Sequence, residues 1–411
     1  MAANFDGCET FEKCSILVKV KEDETFIIMK IAVVIPKYGL VGGAESFSYE
    51  LTERLAAHNE FEIHVFANQW LRGKSPISFH KVRILPFPRF LRQISFAYFS
   101  NKLIRTEKFD LIHSHDRIFH MDLFTMHGIP HKTWIKKVRH KHLSLFDRAM
   151  SWVEEKGILG PHKPIVLPVS NLVKRELLKV YDIPESKIHV IHPGVSISRF
   201  SALDKEDCRH EIRERHGLSQ NDVVVLFVGM NFEIKGLELI LKGVAGLVGK
   251  EDRNPKLKVL VVGKGERKRY IALCRELGIA DRIIFTGVIR EVEKYYLASD
   301  IFAMPSKFDT FGLTVLEAMT AGLPVIITRR VGAMDLIDSG VQGFVLSENP
   351  SPSDMTAVLA SLMKSEDRLK MGENAQEVAL QNTWDKTADK MAQLISEGPR
   401  VQGVKGSSDP P

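Results

Sequence analysis

Short, mostly apolar runs recur along the chain: Met29–Ile35, Phe109–His113, Ile165–Val169, Val223–Val228, Lys258–Val262, Arg282–Phe285, Ile301–Met304 and Val325–Thr328. Apolar runs of about four to eight residues bounded by turn residues predict strands buried on both faces, as in parallel sheets. Most are separated by stretches of roughly 10–20 residues with apolar positions at helical spacing. The alternation occurs twice, once before about residue 195 and once after, and Leu172–Val195 can carry the crossover. This predicts an α/β protein of two doubly wound, parallel-sheet domains, 29–193 and 194–380, facing one another. Ligands then belong in the cleft, at the carboxyl ends of the strands.

The ends fit this scheme less well. Residues 1–28 match no element, and Met29 opens the first strand, so they are expected to be a tail or an upstream start. Residues 397–411 are rich in Gly, Ser and Pro and are expected to be disordered.

Composition excludes several classes. Of 411 residues, 44% are apolar and 26% charged, as in ordinary globular proteins. No apolar run reaches the roughly 18 residues needed to cross a bilayer. The first residues carry acids and no continuous apolar core, so no secretory signal is expected in them. Four cysteines, Cys8, Cys14, Cys208 and Cys274, form no CxxC pair and no disulfide framework, so a cytoplasmic location is expected.

Charge is unevenly placed. Residues 71–142 hold fifteen Lys/Arg against four Asp/Glu, whereas the rest of the chain holds 42 against 47. Phe87, Phe90, Phe96, Tyr98, Phe99 and Trp134 are interleaved with these cations. Such a mixture suits an anionic bilayer surface or a phosphorylated acceptor. It also describes a solvated helix face with its aromatics in the core. No nucleic-acid-binding signature accompanies it. The expected partner of the 71–142 region is an anionic membrane surface, at the inner membrane face, and not nucleic acid.

Four segments carry candidate chemistry, each a strand that runs into a glycine turn and then a helix. The first, Pro36–Glu45, contains Gly42-Gly43 and precedes a helix with Phe47, Leu51 and Leu55 on one face. It is a ligand loop or an ordinary turn; it is not GxGxxG, so the dinucleotide fingerprint is absent. In the second, Val228–Gly236, Lys235 sits where an ammonium can neutralise a phosphate, or is a surface lysine at a helix start. The third, Val261–Glu266, offers Gly263 and Gly265 as a turn or a ligand contact. In the fourth, Pro305–Met319, Asp309 lies in a loop and Glu317, eight residues on, inside the following helix. The helix N-terminus near Phe311, Gly312 and Leu313 offers free amides to a phosphate. A carboxylate on either side can accept sugar and ribose hydroxyls. Two acids also suit a glycosidase, but the anion site between them favours a nucleotide-linked sugar.

Seven of the fifteen histidines lie between His113 and His142. His113 and His115 share a strand face with no clear third ligand, so no metal site is expected. His127 ends the apolar stretch Met121–Met126, and either projects into the cleft to bond a sugar or is a satisfied buried histidine.

On these residues the chain resembles the group 1 family of retaining glycosyltransferases, which have the GT-B fold. The likeness covers about residues 29–396. Ile165–Asn171 followed by Lys187–Val195 looks like the family's inter-domain passage, and Asp309-x7-Glu317 with Phe311-Gly312-Leu313 like its E-x7-E motif. The resemblance implies sugar transfer, with retention, from a nucleotide diphosphate donor bound mainly on the second domain. The nucleotide-sugar is then a co-substrate, and no cofactor or metal is required. Lys235 would contact the donor phosphates, Glu317 the ribose and Asp309 the sugar. His127 would lie near the reacting carbon, and the Gly42-Gly43 loop would close over the diphosphate. The helix around Trp384–Ile395, within 381–396, would cross back to the first domain.

The sequence departs from the pattern twice. Asp309 replaces the usual Glu. Met230, Glu233 and Ile234 stand where basic residues are common, so one phosphate cation is missing. The Gly42-Gly43 loop, Asn231-Phe232-x-x-Lys235-Gly236 and His192-Pro193-Gly194 are similar to lipopolysaccharide-core glucosyltransferases. The expected activity is therefore transfer from a UDP-sugar to an envelope glycan or lipopolysaccharide-core acceptor. The alternatives are an epimerase-like enzyme on the same fold and a non-catalytic nucleotide-sugar-binding module.

Overall fold

A computed structural model describes residues 28–40, 42–161, 163–248 and 257–397. Apart from Ile28 and Glu397, the expected tails lie outside the described residues.

The first half contains strands β1 (Met29–Val34), β2 (Phe61–Ala67), β3 (Ser78–Lys81), β4 (Leu111–Ser114), β5 (Leu123–Met126) and β6 (Ile165–Pro168). They form one six-stranded parallel sheet in the order β3-β2-β1-β4-β5-β6. The second half repeats this with β7 (Val223–Met230), β8 (Leu257–Lys264), β9 (Ile283–Gly287), β10 (Ile301–Met304), β11 (Val325–Thr328) and β12 (Gly343–Leu346), in the order β9-β8-β7-β10-β11-β12. The strand order reverses beside β1 and again beside β7. At each such switch point the connections leave in opposite directions and open a crevice at the strands' carboxyl ends.

The alternation therefore predicts the fold class correctly: two doubly wound parallel-sheet domains. Central strands announce themselves because helices cover both their faces; Ile31, Ala32, Val33 and Val34 are all fully buried. Four strands escape that signal. β3 and β12 are edge strands with half-exposed residues; β3 is mostly polar, and the apolar run of β12, Phe344–Leu346, is only three residues long. β2 carries Glu62 and His64, which break its run. His64 is tolerated inside the sheet because its ring bonds His80 at 2.8 Å and Glu62 at 2.7 Å. β5 belongs to the apolar stretch before His127.

Seven helices position the site: α1 (Gly43–Leu55), α2 (Leu91–Ile104), α3 (Leu145–Leu159), α4 (Leu237–Val248), α5 (Val292–Ala298), α6 (Leu313–Thr320) and α7 (Trp384–Ser396). Helix α7 ends the described chain yet packs on α1 of the first domain. Trp384 meets Phe47 edge-on with ring centroids 5.3 Å apart, and Asp385 bonds Arg54 at 2.6 Å. Trp384, Ala388, Met391 and Ile395, on its buried face, join a core cluster that draws residues from both halves.

The halves are also stitched beside the passage. The Ser170 hydroxyl donates to the Thr310 carbonyl at 2.6 Å. Asp335, almost wholly buried, accepts from the Asn171 amide at 2.7 Å and lies 3.0 Å from His192 Nε2.

Of Phe87, Phe90, Phe96, Tyr98, Phe99 and Trp134 in the basic stretch, Phe87 and Tyr98 are exposed, at 85% and 55%. Phe96 is buried instead, because it lies on the inner face of α2 and joins the core cluster. Phe90, Phe99 and Trp134 are half-buried.

Candidate functional site

Two adjoining cavities lie between the domains, of about 600 Å³ and about 480 Å³. His127, Lys235 and Asp309 line both. Their junction is where the carboxyl ends of β5 and β7 and the loop before α6 converge.

Lys235 follows β7 in the turn before α4, and its ammonium forms a close ion pair with Asp309. Asp309 is held by its backbone as well: its amide donates to the Arg330 carbonyl at 2.8 Å, and its own carbonyl accepts from the Gly332 amide at 3.0 Å. Phe311, Gly312 and Leu313 line the larger cavity, so the N-terminus of α6 opens into it. Gly312 has a left-handed backbone at φ 90°, and a Cβ there would lie 2.9 Å from the Met304 methyl. Glycine is what lets the loop turn into α6 at this point.

Gly43 lines the cavity from the first domain, at the start of α1; Gly42, before it, stands off the wall beside the Glu45 carboxylate. Gly263 lines the cavity from β8, where any Cβ would strike the Gly229 carbonyl. Gly265 does not line it. It lies against the Phe232 ring, which explains the glycine by packing.

His127 presents one edge to the cavities and rests on buried rings. Its Nε2 is 3.0 Å from His115 Nδ1, and Phe47 packs against it at 4.9 Å between centroids. His113 Nε2 bonds the Thr125 hydroxyl at 2.7 Å, while His115 Nε2 is buried with no partner among the described residues. Burial pushes His113 and His127 down to about 3, and His115 well below the usual histidine range. All three rings are therefore neutral at physiological pH.

Glu317 lies on α6 one turn beyond Thr314, which lines the cavity, but is itself turned toward α5. The Tyr296 hydroxyl donates to its Oε2 at 3.0 Å, and Arg199 approaches Oε1 at 3.4 Å. Burial pushes its carboxyl up, and Arg199 and Tyr296 pull it back.

At the expected gap in positive charge, Met230 and Ile234 line the smaller cavity. Glu233 points away from it, toward Arg269 at 3.7 Å and Lys307 at 3.4 Å. Among the described residues, the one Lys or Arg besides Lys235 that lines this cavity is Arg117, from the first domain. Among the described residues, no group of three or more His, Cys, Asp or Glu converges on a metal position.

Several lining residues were not anticipated. Arg117, just past β4, lines the smaller cavity and pairs with the fully buried Glu154 at 2.6 Å. Glu154 also accepts from the Tyr181 hydroxyl at 2.8 Å and the His131 amide at 3.0 Å. Trp134 meets Phe308 across the cleft, with centroids 5.8 Å apart. The one available signal for Arg117 was its place at a strand's carboxyl end.

Comparison with known proteins follows the two halves. The family model for glycosyl transferases group 1 matches residues 209–378, and that for glycosyltransferase family 4 matches residues 41–199. An uncharacterized glycosyltransferase of Methanocaldococcus jannaschii is 26% identical over 341 residues, 78% of this chain and 86% of that protein. A D-inositol 3-phosphate glycosyltransferase of Catenulispora acidiphila is 32% identical over 231 residues, 54% of this chain and 53% of that one. The match thus spans about half of that relative. Among solved structures, WaaG, a glycosyltransferase involved in lipopolysaccharide biosynthesis, superposes with a TM-score of 0.75 at 20% identity. That superposition covers 90% of this chain and 100% of WaaG, and speaks to the fold.

Proposed function

The chain belongs to the group 1 glycosyltransferases, and on that premise we propose that it transfers a sugar from a UDP-sugar to an envelope glycan or lipopolysaccharide-core acceptor. The transfer retains the anomeric configuration and needs no metal. What supports this most is the joint placement of His127, Lys235 and Asp309 at the junction of two cavities, with the N-terminus of α6 opening on the larger one.

In this reading the diphosphate lies in the larger cavity against Lys235 and the amides of Phe311–Leu313. A cation and oriented amides stabilise negative charge as it builds on the leaving group, which is the work a metal does elsewhere. Neutral His127 bonds a sugar hydroxyl without adding charge beside the reacting carbon. Asp309 accepts from the donor sugar and Glu317 from the ribose. The acceptor enters through the smaller cavity, past Trp134 and Phe308. The closed cleft excludes water that would hydrolyse the donor.

An anionic membrane surface is part of the same proposal, at the cytoplasmic side of the inner membrane. Phe87 and Leu145 are 85% and 68% exposed beside a run of cations, and Arg89 stacks over Phe146 at 4.8 Å, tying the Phe87 loop to α3. Among the described residues no helix is long and apolar enough to cross a membrane.

The test is a thermal-shift panel of UDP-, GDP- and ADP-sugars without added metal. Ligand binding raises the midpoint by mass action. A rise with the UDP class is expected, and transfer then gives a product of retained configuration by NMR. No shift with any class would overturn the donor-site reading. Donor turnover to an isomer with no acceptor present would favour the epimerase-like alternative.

A further inference from the structure

Arg199 lies in the one-turn helix Ser198–Ser201, just after the inter-domain passage, and belongs to none of the four glycine-turn segments. Its guanidinium bridges two carboxylates. One nitrogen forms a close ion pair with Glu293 on α5, and another approaches Glu317 Oε1 at 3.4 Å. The Tyr296 hydroxyl, also from α5, donates to Glu317 Oε2 at 3.0 Å. Arg199, Glu293 and Tyr296 are thus the charged and titratable groups that face Glu317. Glu293 and Glu317 keep only 11% and 19% of their side chains exposed, so two like charges are held in one poorly hydrated place.

A carboxylate has about four lone-pair sites, two on each oxygen. Arg199 uses one on Oε1 and Tyr296 one on Oε2, so one acceptor site remains on each oxygen. Two adjacent hydroxyl donors match that pair of sites. We propose that Arg199 is a positioning residue for nucleoside recognition: it keeps Glu317 ionised beside Glu293 and oriented so that both carboxylate oxygens accept from a ribose diol. The inference rests on the donor-site reading above.

Without Arg199, burial and the neighbouring Glu293 both favour the protonated acid on Glu317. A protonated carboxyl offers a donor where the diol needs an acceptor. The loss should therefore be greatest at low pH and shrink as pH rises and Glu317 ionises.

The experiment is calorimetric titration of the full chain with UDP and with 2′-deoxy-UDP. The proteins are the wild type, Arg199→Met and Arg199→Lys, each near pH 7 and near pH 9. GDP or ADP with its deoxy analogue replaces the pair if one of those is the nucleotide bound. The wild type should prefer the ribonucleotide by about tenfold, the worth of one hydrogen bond to a charged group. Arg199→Met should collapse that preference to about twofold near pH 7 and regain part of it near pH 9. Arg199→Lys should keep most of it. Equal weakening of both nucleotides by Arg199→Met would mean a general structural role, and an unchanged preference would mean no role; either overturns the proposal. A wild type that binds none of UDP, GDP or ADP would overturn the donor-site reading itself, a failure visible before any variant is compared.

Discussion

Lys235 and Asp309, 74 residues apart in sequence, neutralise each other at the junction of the two cavities. Both side chains are mostly buried, at 23% and 14% exposure, so each needs a partner. The pair sits where the proposed diphosphate would arrive. A phosphate that binds there takes over the ammonium from Asp309 and leaves the carboxylate free to accept from sugar hydroxyls.

Lys235→Ala should therefore weaken binding of a nucleoside diphosphate by about 10- to 100-fold, the size of one hydrogen bond between charged partners. Lys307→Ala is the control: Lys307 is 64% exposed and pairs with Glu233 outside the cleft. It should change binding less than twofold. Calorimetric titration with UDP compares the two, and equal effects would reject the proposed phosphate contact.

The buried histidines predict how stability depends on pH. His113 and His127 have folded values near 3, well below the ordinary 6.5. The unfolded chain thus binds protons that the native state refuses, and stability falls as pH drops from about 6.5 toward 3. Each ring contributes up to about 2 kcal/mol of destabilisation by pH 5. The melting temperature should fall steeply below pH 6.5. His113→Gln, which keeps a polar group beside Thr125, should make that slope shallower. An unchanged slope would show that His113 is protonated in the native state.

How much of this was legible in the sequence depended on whether the signal was local. Val223–Phe227 reads as a strand because both of its faces are covered, whereas Ser78–Lys81 and Gly343–Leu346, at sheet edges, are only partly covered and read as nothing in particular. In the site, Lys235, Asp309 and Gly312 each stand in a strand–turn–helix block, which marks the carboxyl end of a strand without reference to the rest of the chain. Arg199 carries no such mark: its partner Glu317 is 118 residues away, and only the packing of α5 and α6 beside the passage brings them together. Local reading also errs in the other direction. Gly265 resembles a ligand-binding glycine, but the Phe232 ring lies against it.

The contact between α7 and α1 links stability to the site. Trp384 is 5% exposed and packs on Phe47, which packs in turn on His127. Trp384→Ala should cost about 3–5 kcal/mol, the usual penalty for emptying a large aromatic site. It should also lower transfer activity in the protein that remains folded, because Phe47 loses the support that fixes His127. Trp384→Phe should restore most of both. Urea denaturation measures the first effect and donor turnover the second; full activity in a strongly destabilised Trp384→Ala would break the link to His127.

The membrane surface makes a separate prediction, independent of the donor site. Among the described residues of the first domain, Phe87 and Leu145 are the most exposed large apolar ones, with Tyr98 and Trp152 also exposed at 55% and 46%. Burying two such side chains in a bilayer interface is worth about 1.5–3 kcal/mol each, and each nearby Lys or Arg adds about 1 kcal/mol over anionic lipid. The protein should therefore co-sediment with phosphatidylglycerol vesicles at low salt and much less with phosphatidylcholine. Phe87→Asp with Leu145→Asp should reduce binding more than tenfold at any salt concentration. Lys136→Glu with Lys137→Glu should reduce it mainly at low salt, because added ions already screen those charges at high salt. Binding that ignores lipid charge and salt alike would rule out the electrostatic part, and binding unaffected by the aspartates would rule out insertion.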